Sequence, residues 1–513
     1  MFGYRSTLTA GLRTEAARPP AVRANPRAPW LAVGVVCFGA FMGQLDASIV
    51  TLTFRPMEHD FAAPLAGVQW VSLAYLLLLV ALVTPAGRLA DSVGRKLIYG
   101  YGFVVFTIGS AACGLAPSLG ILIGARLFQA AGAAMLQSNS VALVTTSVPR
   151  ERMRLALSVQ AAAQSIGLAL GPTLGGMLTQ TVGWRSVYWI NVPVGVLAVV
   201  AGRYLLPRTR HLSPFDNFDW LGATLLGTAT TALLIALSVV GGLPAPGWLA
   251  VVMVVVAVAA GLAFAVRQRR ARFPLIPSPL RSPRLVLGLA GAFLGYLALF
   301  GPLVLVPQLL GGHGNVAKTG LILSALPVGF GVAALTAEWV FPAGLPNRVR
   351  GCVGGAVSAV ALVMLIFLTG STAGLVLLLG FAGLGLGVFV PANNAVIMRS
   401  APAGSAAVLG GLVNMARGIG TTFGIALVTL ALELTSRPGG VHEGGTVGWA
   451  VLAVAAGCAA VIAISIRPLG WSRRQPRPRT QPDGVGVAGV PAGLNRADDV
   501  QQDGRQSGGE ETG

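Results

Sequence analysis

The sequence predicts an all-α integral membrane protein with fourteen transmembrane helices, arranged as two six-helix bundles with two extra helices between them. The composition is 54% hydrophobic and only 10% charged, whereas soluble domains carry about a quarter charged residues. Apolar segments long enough to cross a bilayer recur along the chain, and lipid admits only backbones that satisfy their own hydrogen bonds. This composition excludes a soluble globular protein, a coiled coil and a disordered chain.

The first apolar segment begins at Trp30 and is long enough to span, so we interpret it as a membrane helix and not as a cleavable signal. Further segments of similar character follow to the C-terminal region. The predicted spans are 30–53, 67–86, 97–117, 119–147, 156–180, 187–206, 219–240, 247–266, 285–310, 319–341, 351–370, 373–398, 405–433 and 448–466.

Basic residues gather in alternate connections between these spans. One set of connections carries clusters such as Arg88 with Arg95, whereas each connection of the other set carries one at most: Arg55, Arg185, Lys318 or Arg437. The positive-inside rule therefore places both termini in the cytoplasm. The net charge of +19 is then mostly a topology signal, and no nucleic-acid partner is predicted.

Five segments are predicted along the chain. They are a cytoplasmic arm at 1–29, a first bundle at 30–206, two linker transmembrane helices with basic flanks at 207–284, a second bundle at 285–466 and a disordered cytoplasmic tail at 467–513. The tail is rich in Pro, Gly, Gln and Arg without periodicity, which is typical of disorder.

The two predicted bundles resemble each other at a shift of about 253–256 residues. Gly167 and Gly171 align with Gly420 and Gly424, and Gly132 aligns with Gly387. Repeated bundles around a site at the membrane midplane are typical of secondary transporters.

The first motif is Gly87-Arg-Leu-Ala-Asp91-Ser-Val-Gly94-Arg95-Lys96, predicted in the cytoplasmic turn between spans 2 and 3. Its glycines permit a tight turn, and Asp91 can pair with Arg95 or cap the next helix. The functional interpretation is a two-state charge lock between the bundles. The alternative is the ordinary basic chemistry of a cytoplasmic loop.

The second motif lies inside span 5 and contains Gly167, Gly171, Pro172, Gly175 and Gly176. This spacing of glycines leaves bare backbone on one helix face and allows close contact with another helix. The proline removes a helix hydrogen bond and permits a bend. The motif is therefore either a packing face alone or a bendable seam that serves alternating access.

Asp46 and Arg126 are ionisable residues embedded in spans, where a charge costs about 2.5–3.5 kcal/mol at the bilayer centre. Counting along spans 1 and 4, which run in opposite directions, places both in the outer half at similar depth. Burial favours a neutral carboxyl group and a neighbouring guanidinium favours a charged one, so such a group can exchange a proton as water access changes. A static structural pair is the alternative. Gln129 shares the face of Arg126.

Arg417 and Asn414 lie in the thirteenth span, where Arg417 either lines the same cavity or caps backbone carbonyls. Glu338 lies near the inner end of its span, and we expect it to extend to the interface. Further polar candidates along the substrate path are Gln160, Gln164 and Asn394, although interhelical hydrogen bonding explains them equally well.

Motifs for other chemistries are missing from the sequence. There is no GxxxxGK[ST] phosphate loop, no HExxH and no Ser/His/Asp arrangement, and none of the four histidines has metal-ligand spacing. The cysteines stand singly in apolar segments. We therefore predict no enzyme activity, no metal site and no cofactor.

The motifs together resemble the major facilitator superfamily, specifically its fourteen-helix drug:proton antiporter group, over about residues 30–466. The resemblance rests on Gly87–Lys96, on Gly167–Gly176, on the segment 44–50 around Asp46, on the segment 126–132 and on the segment 184–193. This chain departs from the group at 51–56, at Ala130, where Gly is common, and at Asn347, where the second bundle lacks an acidic residue.

The resemblance implies the major facilitator fold and proton-driven export of hydrophobic or cationic small molecules, such as antibiotics, by alternating access in the bacterial cell membrane. It assigns proton coupling to Asp46 and Arg126, the conformational lock to Asp91 and Arg95, and the antiport bend to the seam at Gly171. The expected partners are an amphiphilic substrate, protons and lipid, with the chain acting as a monomer. The alternative is a symporter or uniporter of a small polar metabolite in the same fold.

Overall fold

The computed structural model describes residue 15 and residues 18–209, 218–240, 245–276, 282–310, 316–342, 344–367, 371–400, 405–434 and 441–466. Within these residues all regular structure is helical, and fourteen helices are long and apolar enough to cross a membrane. The predicted tail, 467–513, lies outside the described residues, as does most of the predicted N-terminal arm.

Six long helices form the first bundle. They are α1 (Ala28–Ile49), α2 (Leu65–Val93), α3 (Arg95–Gly114), α4 (Leu119–Ser147), α5 (Met153–Thr181) and α6 (Asn191–Leu205).

Two helices, α7 (Trp220–Val240) and α8 (Gly247–Arg270), follow, and six more form the second bundle. These are α9 (Pro283–Leu309), α10 (Val316–Val340), α11 (Asn347–Phe367), α12 (Thr372–Arg399), α13 (Ala406–Leu434) and α14 (Val441–Ser465).

The ends of several predicted spans differ from the structure. α1 stops at Ile49, and the chain continues as a tight 3₁₀ turn (Val50–Thr53) and a short helix (Phe54–Phe61). α6 is preceded by a separate helical turn, Ser186–Trp189. α2 runs on to Val93, well past the predicted end at 86.

The end of the bundles at which α1 begins and α2 ends is called here the basic face. Its helix ends and connections carry Arg88, Arg95, Arg154, Arg203, Arg350 and Arg399. The other end is called the opposite face, and it contains the short helix Phe54–Phe61.

The predicted repeat appears in how helices pack. In the first bundle Gly167 of α5 lies against the backbone of Phe41 in α1, and in the second bundle the aligned Gly420 of α13 lies against the backbone of Phe293 in α9. The same pair of helices is therefore joined by the same glycine positions in each bundle, because only a residue without Cβ permits such close backbone contact.

One alignment within the repeat is wrong. Gly132 of α4 packs on the backbone of Phe106 in α3, and the residue that packs likewise on Ser358 of α11 is Gly385, whereas Gly387 faces α10. A shift of 253 residues, from Gly132 to Gly385, then pairs Arg126 with Leu379, which is buried. The arginine still has an apolar counterpart.

The two bundles meet along two seams. α2 and α4 pack against α13, and α5 packs against α10 and α12. The hydrophobic cluster of the first bundle continues across the first seam to Val408 and Leu412 of α13. The first seam is therefore packed with apolar side chains near the start of α13.

The two extra helices attach to the first of these seams. α7 packs against both α2 and α13, and α8 packs mainly on α7. An ion pair of 3.1 Å between Arg267 Nε and Asp219 Oδ1 joins the end of α8 to the start of α7. Most of the remaining surface of α8 is exposed and apolar, as expected for a helix in contact with lipid.

Candidate functional site

Asp46 and Arg126 form a buried ion pair. Asp46 lies 18 residues beyond Ala28, about 27 Å along α1 at 1.5 Å per residue. Arg126 reaches it from α4, and its Nη1 lies 2.7 Å from Asp46 Oδ2. The side chains are 0% and 1% exposed, so the pair faces neither lipid nor water in this conformation. The structure thus brings together the two residues that the sequence placed at similar depth.

Two amides complete the surroundings of the Asp46 carboxylate. Gln129 Nε2 and Asn191 Nδ2 donate to Asp46 Oδ1 at 3.0 and 3.1 Å, and Arg126 Nη1 also donates to Gln129 Oε1 at 2.7 Å. Asn191 additionally donates to Ser110 Oγ at 3.1 Å. Both carboxylate oxygens are therefore satisfied, as a charge buried in a membrane protein requires.

Two tyrosines enclose the guanidinium group of Arg126. Its central carbon lies 4.1 Å from the ring centre of Tyr75 and 5.7 Å from that of Tyr188, distances at which aromatic rings stabilise cations. Arg126 Nε also donates to the carbonyl oxygen of Val71 at 3.2 Å. The hydroxyl groups of both tyrosines are buried without a partner among the described residues.

The glycine motif of α5 packs against the helix that carries Asp46. A Cβ atom at Gly167 would lie 2.5 Å from the carbonyl oxygen of Phe41, and one at Gly175 would lie 2.9 Å from that of Ile49. Gly171 lies between them, against the side chain of Ser48. The motif is thus a seam between α5 and α1 within one bundle.

The other two residues of this motif contribute less to the contact. Gly176 is half-buried. Pro172 lies within the unbroken helix α5, and its side chain is outside the described part of the structure.

Asp91 joins the two bundles at the basic face. Its carboxylate pairs with Arg95, with an Nη2–Oδ1 distance of 2.8 Å, and also accepts hydrogen bonds from the backbone amides of Ala407 at 3.1 Å and Val408 at 2.8 Å. These amides open α13, where the helix dipole favours a negative charge. The sequence allowed Asp91 to cap the next helix along the chain, but the helix it caps belongs to the other bundle.

The sequence predicts the motif at 87–96 in the turn between spans 2 and 3. This prediction is wrong for most of its residues, which lie in helices. α2 continues through Gly87 and Asp91, and only Gly94, with a φ of 130°, makes the turn. Gly87 serves a different need, because a Cβ atom there would collide with the backbone of Ala407. Lys96 is the second residue of α3, and its backbone amide donates to Glu15 Oε1 at 3.0 Å.

A second ionic cluster joins the bundles at the other seam. Arg154 of α5 forms a bidentate ion pair with Glu338 of α10 and donates from Nη1 to Asn347 Oδ1 at 3.1 Å. Arg350 Nη1 lies 3.4 Å from Glu338 Oε1. The expectation that Glu338 extends to the interface is wrong, because two guanidinium groups hold it between the bundles.

A small recess opens between α1, α4 and α5. Its polar lining comes from Gln44, Gln137 and Gln164, with Ser140, and its floor includes Gly43. Gln164, which the sequence predicts as a substrate-path residue, therefore lines this recess. Gln160 is buried one turn away, and its Nε2 has no partner among the described residues.

The polar candidates of the second bundle lie apart from the ion pair. Asn414 Nδ2 donates to the carbonyl oxygen of Gln137 across the first seam at 2.7 Å, and Arg417 Nη1 donates to Asn414 Oδ1 at 3.2 Å. Asn394 is buried in α12, with no described partner for its Oδ1. Arg417 thus caps no backbone carbonyl among the described residues.

Several residues of this site were not predicted from the sequence. Asn191 and Gln44 were noted only as parts of longer motifs, and Tyr75, Tyr188 and Gln137 were not noted at all. A polar or aromatic residue inside a span gives a signal, but its partner depends on which way the helix faces.

Comparison with known proteins places this architecture in a family. A family model described as Major Facilitator Superfamily matches residues 36–425. The chain belongs to the major facilitator superfamily. It is accordingly a transporter and not an enzyme.

Two curated members of the superfamily are similar over most of their lengths. Multidrug resistance protein Stp of Mycobacterium tuberculosis is 34% identical over 405 residues, which cover 76% of this chain and 73% of Stp. Methylenomycin A resistance protein of Bacillus subtilis is 31% identical over 419 residues, which cover 78% of this chain and 87% of that protein. The relatives of this transporter thus include antibiotic and multidrug resistance proteins.

A solved major facilitator structure has the same fold. The crystal structure of the human organic anion transporter MFSD10 (TETRAN) matches with a TM-score of 0.61 at 16% identity, covering 87% of this chain and all of that chain. At this identity the likeness concerns the fold alone.

Proposed function

We propose that the protein is a proton-coupled antiporter that exports amphiphilic small molecules, such as antibiotics, from the bacterial cytoplasm. The carboxylate of Asp46, held between Arg126 and two amides inside the first bundle, carries this proposal. It is acidic, buried and adjacent to the seam with α5. A change of its protonation would therefore alter the contacts of α1 beside that seam. The resistance proteins among its relatives support export of such molecules.

In the proposed cycle Asp46 takes up a proton when the opposite face is open and releases it toward the basic face. Protonation removes the charge that holds the Arg126 guanidinium and leaves one carboxyl oxygen as a donor in place of an acceptor. The environment of α1 therefore changes with each proton. No cofactor enters this cycle, because the proton gradient supplies the free energy.

α5 is the proposed link from Asp46 to the interface between bundles. Its glycines contact α1 beside Asp46, and its first turn carries Arg154, which pairs with Glu338 of the other bundle. A shift of α1 would thus move α5 and strain the ion pair between Arg154 and Glu338, which has to break when the basic face opens. Substrate and proton then shift the same population between states.

The arginine pattern supports a cell-membrane location with both termini in the cytoplasm, so the basic face is the cytoplasmic side. The polar contacts of Asp91 and Glu338 close that side in this conformation. We propose a monomer as the working unit, because each bundle pair contains its own recess and its own Asp46.

The test is gradient-driven transport by the purified chain in liposomes. Asp46→Asn is expected to abolish dye transport driven by an imposed pH gradient, while transport by the unmodified chain continues. Asp60→Asn is a matched control. Hydrogen bonds from Arg185 and Trp184 hold the pKa of Asp60 below its usual value, so this carboxylate remains charged and does not exchange protons near neutral pH. Unchanged gradient-driven transport by Asp46→Asn would remove Asp46 from the mechanism.

A symporter or uniporter of a polar metabolite is the second candidate. The side chains of Gln44, Gln137 and Gln164, which supply amide donors and acceptors to the recess, favour it. The direction of transport separates the two candidates. Cells that accumulate the compound when they express the chain support the second candidate, and cells that expel it support the first.

A further inference from the structure

Arg417 differs from the other buried arginines in having no carboxylate partner. Four arginine side chains are buried in the described part of the chain, and three of them lie near a carboxylate: Arg95 at 2.8 Å, Arg126 at 2.7 Å and Arg350 at 3.4 Å. Arg417 is only 5% exposed and has no such partner among the described residues.

The contacts of Arg417 leave much of its guanidinium group unused. Nη1 donates to Asn414 Oδ1 at 3.2 Å, and the central carbon lies 4.9 Å from the ring centre of Tyr296. Nε is buried with no acceptor among the described residues. A guanidinium group has five donors in a planar fork that matches a carboxylate or a related anion.

An unpaired charge at this depth is costly. Removing one partner of a buried ion pair is strongly destabilising because the remaining charge stays uncompensated, and ionisable residues inside membranes are retained for function. Among the described residues Arg417 has no compensating carboxylate in this conformation. A negatively charged molecule would therefore gain free energy by binding there.

Arg417 lies on α13 close to the seam with the first bundle. It is one turn beyond Asn414, which bonds to Gln137 of the first bundle, and next to Gly418, which packs on Val80 of α2. Gln137 is also a lining residue of the recess. Arg417 thus lies beside the residues of α13 that contact the first bundle.

The surroundings of Arg417 also contain apolar aromatic surface. Tyr296 stacks with Phe300 at a centroid distance of 6.0 Å, and Phe293 contacts Phe423 edge-on at 5.6 Å. Rings next to a cation suit a molecule that is both aromatic and anionic.

The negative charge that a cationic substrate needs is already engaged. Asp46 is neutralised by Arg126, while Asp91 and Glu338 are bound in the contacts that close the basic face. Within the described part of the chain, Arg417 is therefore a positive charge near this seam with which no carboxylate pairs. This favours anions and disfavours the cationic substrates that the sequence resemblance allowed.

We infer that Arg417 binds a negatively charged oxygen of the transported molecule, and that the substrate class is amphiphilic organic anions: carboxylates or ionised phenols on an aromatic skeleton. This inference rests on the proposed export function and names the substrate class of the same path.

Equilibrium binding to the full-length purified chain, without a proton gradient, tests the inference. Fluorescein and rhodamine 123 are suitable probes because they share a xanthene skeleton and differ in charge. Fluorescence anisotropy is expected to show tighter binding of fluorescein. Arg417→Gln should weaken fluorescein binding about thirtyfold or more and leave rhodamine 123 binding nearly unchanged, because only the anion loses a charge partner.

Two further variants control for structure. Arg417→Lys keeps the charge and is expected to retain part of the fluorescein affinity, without the forked geometry. Arg399→Gln removes an exposed arginine at the basic face and should change neither dye. Folding of each variant is checked by a single symmetric gel-filtration peak and by rhodamine 123 binding.

Three results would overturn the inference. The first is that the folded unmodified chain binds rhodamine 123 more tightly than fluorescein, and the second is that it does not bind fluorescein at all. The third is that Arg417→Gln binds fluorescein with the same affinity as the unmodified chain. Transport in liposomes separates this from the proposed function. If a pH gradient drives rhodamine 123 and not fluorescein, antiport stands and the inference fails. If fluorescein binds through Arg417 but its transport ignores the gradient, the inference stands and proton antiport fails.

Discussion

The carboxylate of Asp91 accepts a hydrogen bond of 2.8 Å from the backbone amide of Val408, so the last turn of α2 caps the first turn of α13. The two residues are 317 positions apart in the sequence. This single carboxylate also holds Arg95, and it therefore connects the bundles through both a charge pair and a helix end.

Asp91→Asn is expected to loosen the basic face. The amide side chain loses the charge that the helix dipole and Arg95 stabilise, which is worth about 1.5–3 kcal/mol for hydrogen bonds to a charged group. The closed population should fall by roughly tenfold or more. Spin labels at the exposed positions Arg152 and Arg399, in a background without native cysteines, report this as longer distances between the bundles.

Asp60→Asn on the opposite face is the control for this measurement and should leave the distances unchanged. If Asp91→Asn also leaves them unchanged, the contact with Val408 does not hold the bundles closed.

Glu338→Gln should act in the same direction at the second seam. The substitution breaks the ion pair with Arg154 and leaves the buried Arg350 without a carboxylate. Because the two ionic clusters lie on different seams and share no residue, the effects of Asp91→Asn and Glu338→Gln should add. The same label pair checks this, with the exposed Glu151→Gln as control. A double variant no more open than either single variant would contradict two independent contacts.

Asp46→Asn should lower the stability of the folded chain by about 3–5 kcal/mol, because it leaves the Arg126 guanidinium buried and uncompensated. The double variant Asp46→Asn/Arg126→Gln should recover much of this loss, since no lone charge remains. Thermal unfolding in detergent measures the difference. If the double variant recovers stability but not gradient-driven transport, the role of Asp46 in proton coupling is separate from its role in packing. A double variant less stable than Asp46→Asn would argue against the ion pair between Asp46 and Arg126.

Gly167→Ala should separate α5 from α1. The added methyl group would lie 2.5 Å from the carbonyl oxygen of Phe41, and overpacking of this kind costs about 1–3 kcal/mol. Gly34→Ala and Gly100→Ala are matched controls, because both residues are helical and have nothing within 4 Å of the new atom. These controls should be neutral or stabilising by about 0.5–1 kcal/mol.

Transport rate and melting temperature are measured on all three alanine variants. Equal behaviour of Gly167→Ala and the controls would mean that the seam tolerates a wider spacing.

The spans and the depth of the ion pair were predictable because both follow from one-dimensional quantities. Bilayer thickness fixes the length of each apolar segment, and the constant rise of a helix places Asp46 and Arg126 by counting from opposite ends. The seam glycines were recognisable for a similar reason, since their spacing puts them on one helix face.

The partners of the polar residues were not predictable in the same way. Asn191 reaches Asp46 from α6, and Glu338 meets Arg154 of the other bundle, so each contact depends on how two distant helices are rotated toward one another. A count along the chain carries no information on that rotation. The turn motif shows the same limit: Gly87 looks like a turn residue until Ala407 of α13 is seen beside it.

The attachment of α7 has a consequence for the route by which cargo enters from the bilayer. α7 contacts α2 and α13, which belong to different bundles. It therefore covers the first seam between the bundles on the side that faces the lipid. In the proposed function, a lipophilic substrate that comes from the bilayer would enter at the other flank, between α5 and α10. The two seams between the bundles therefore differ in their exposure to lipid, although the two bundles share one architecture.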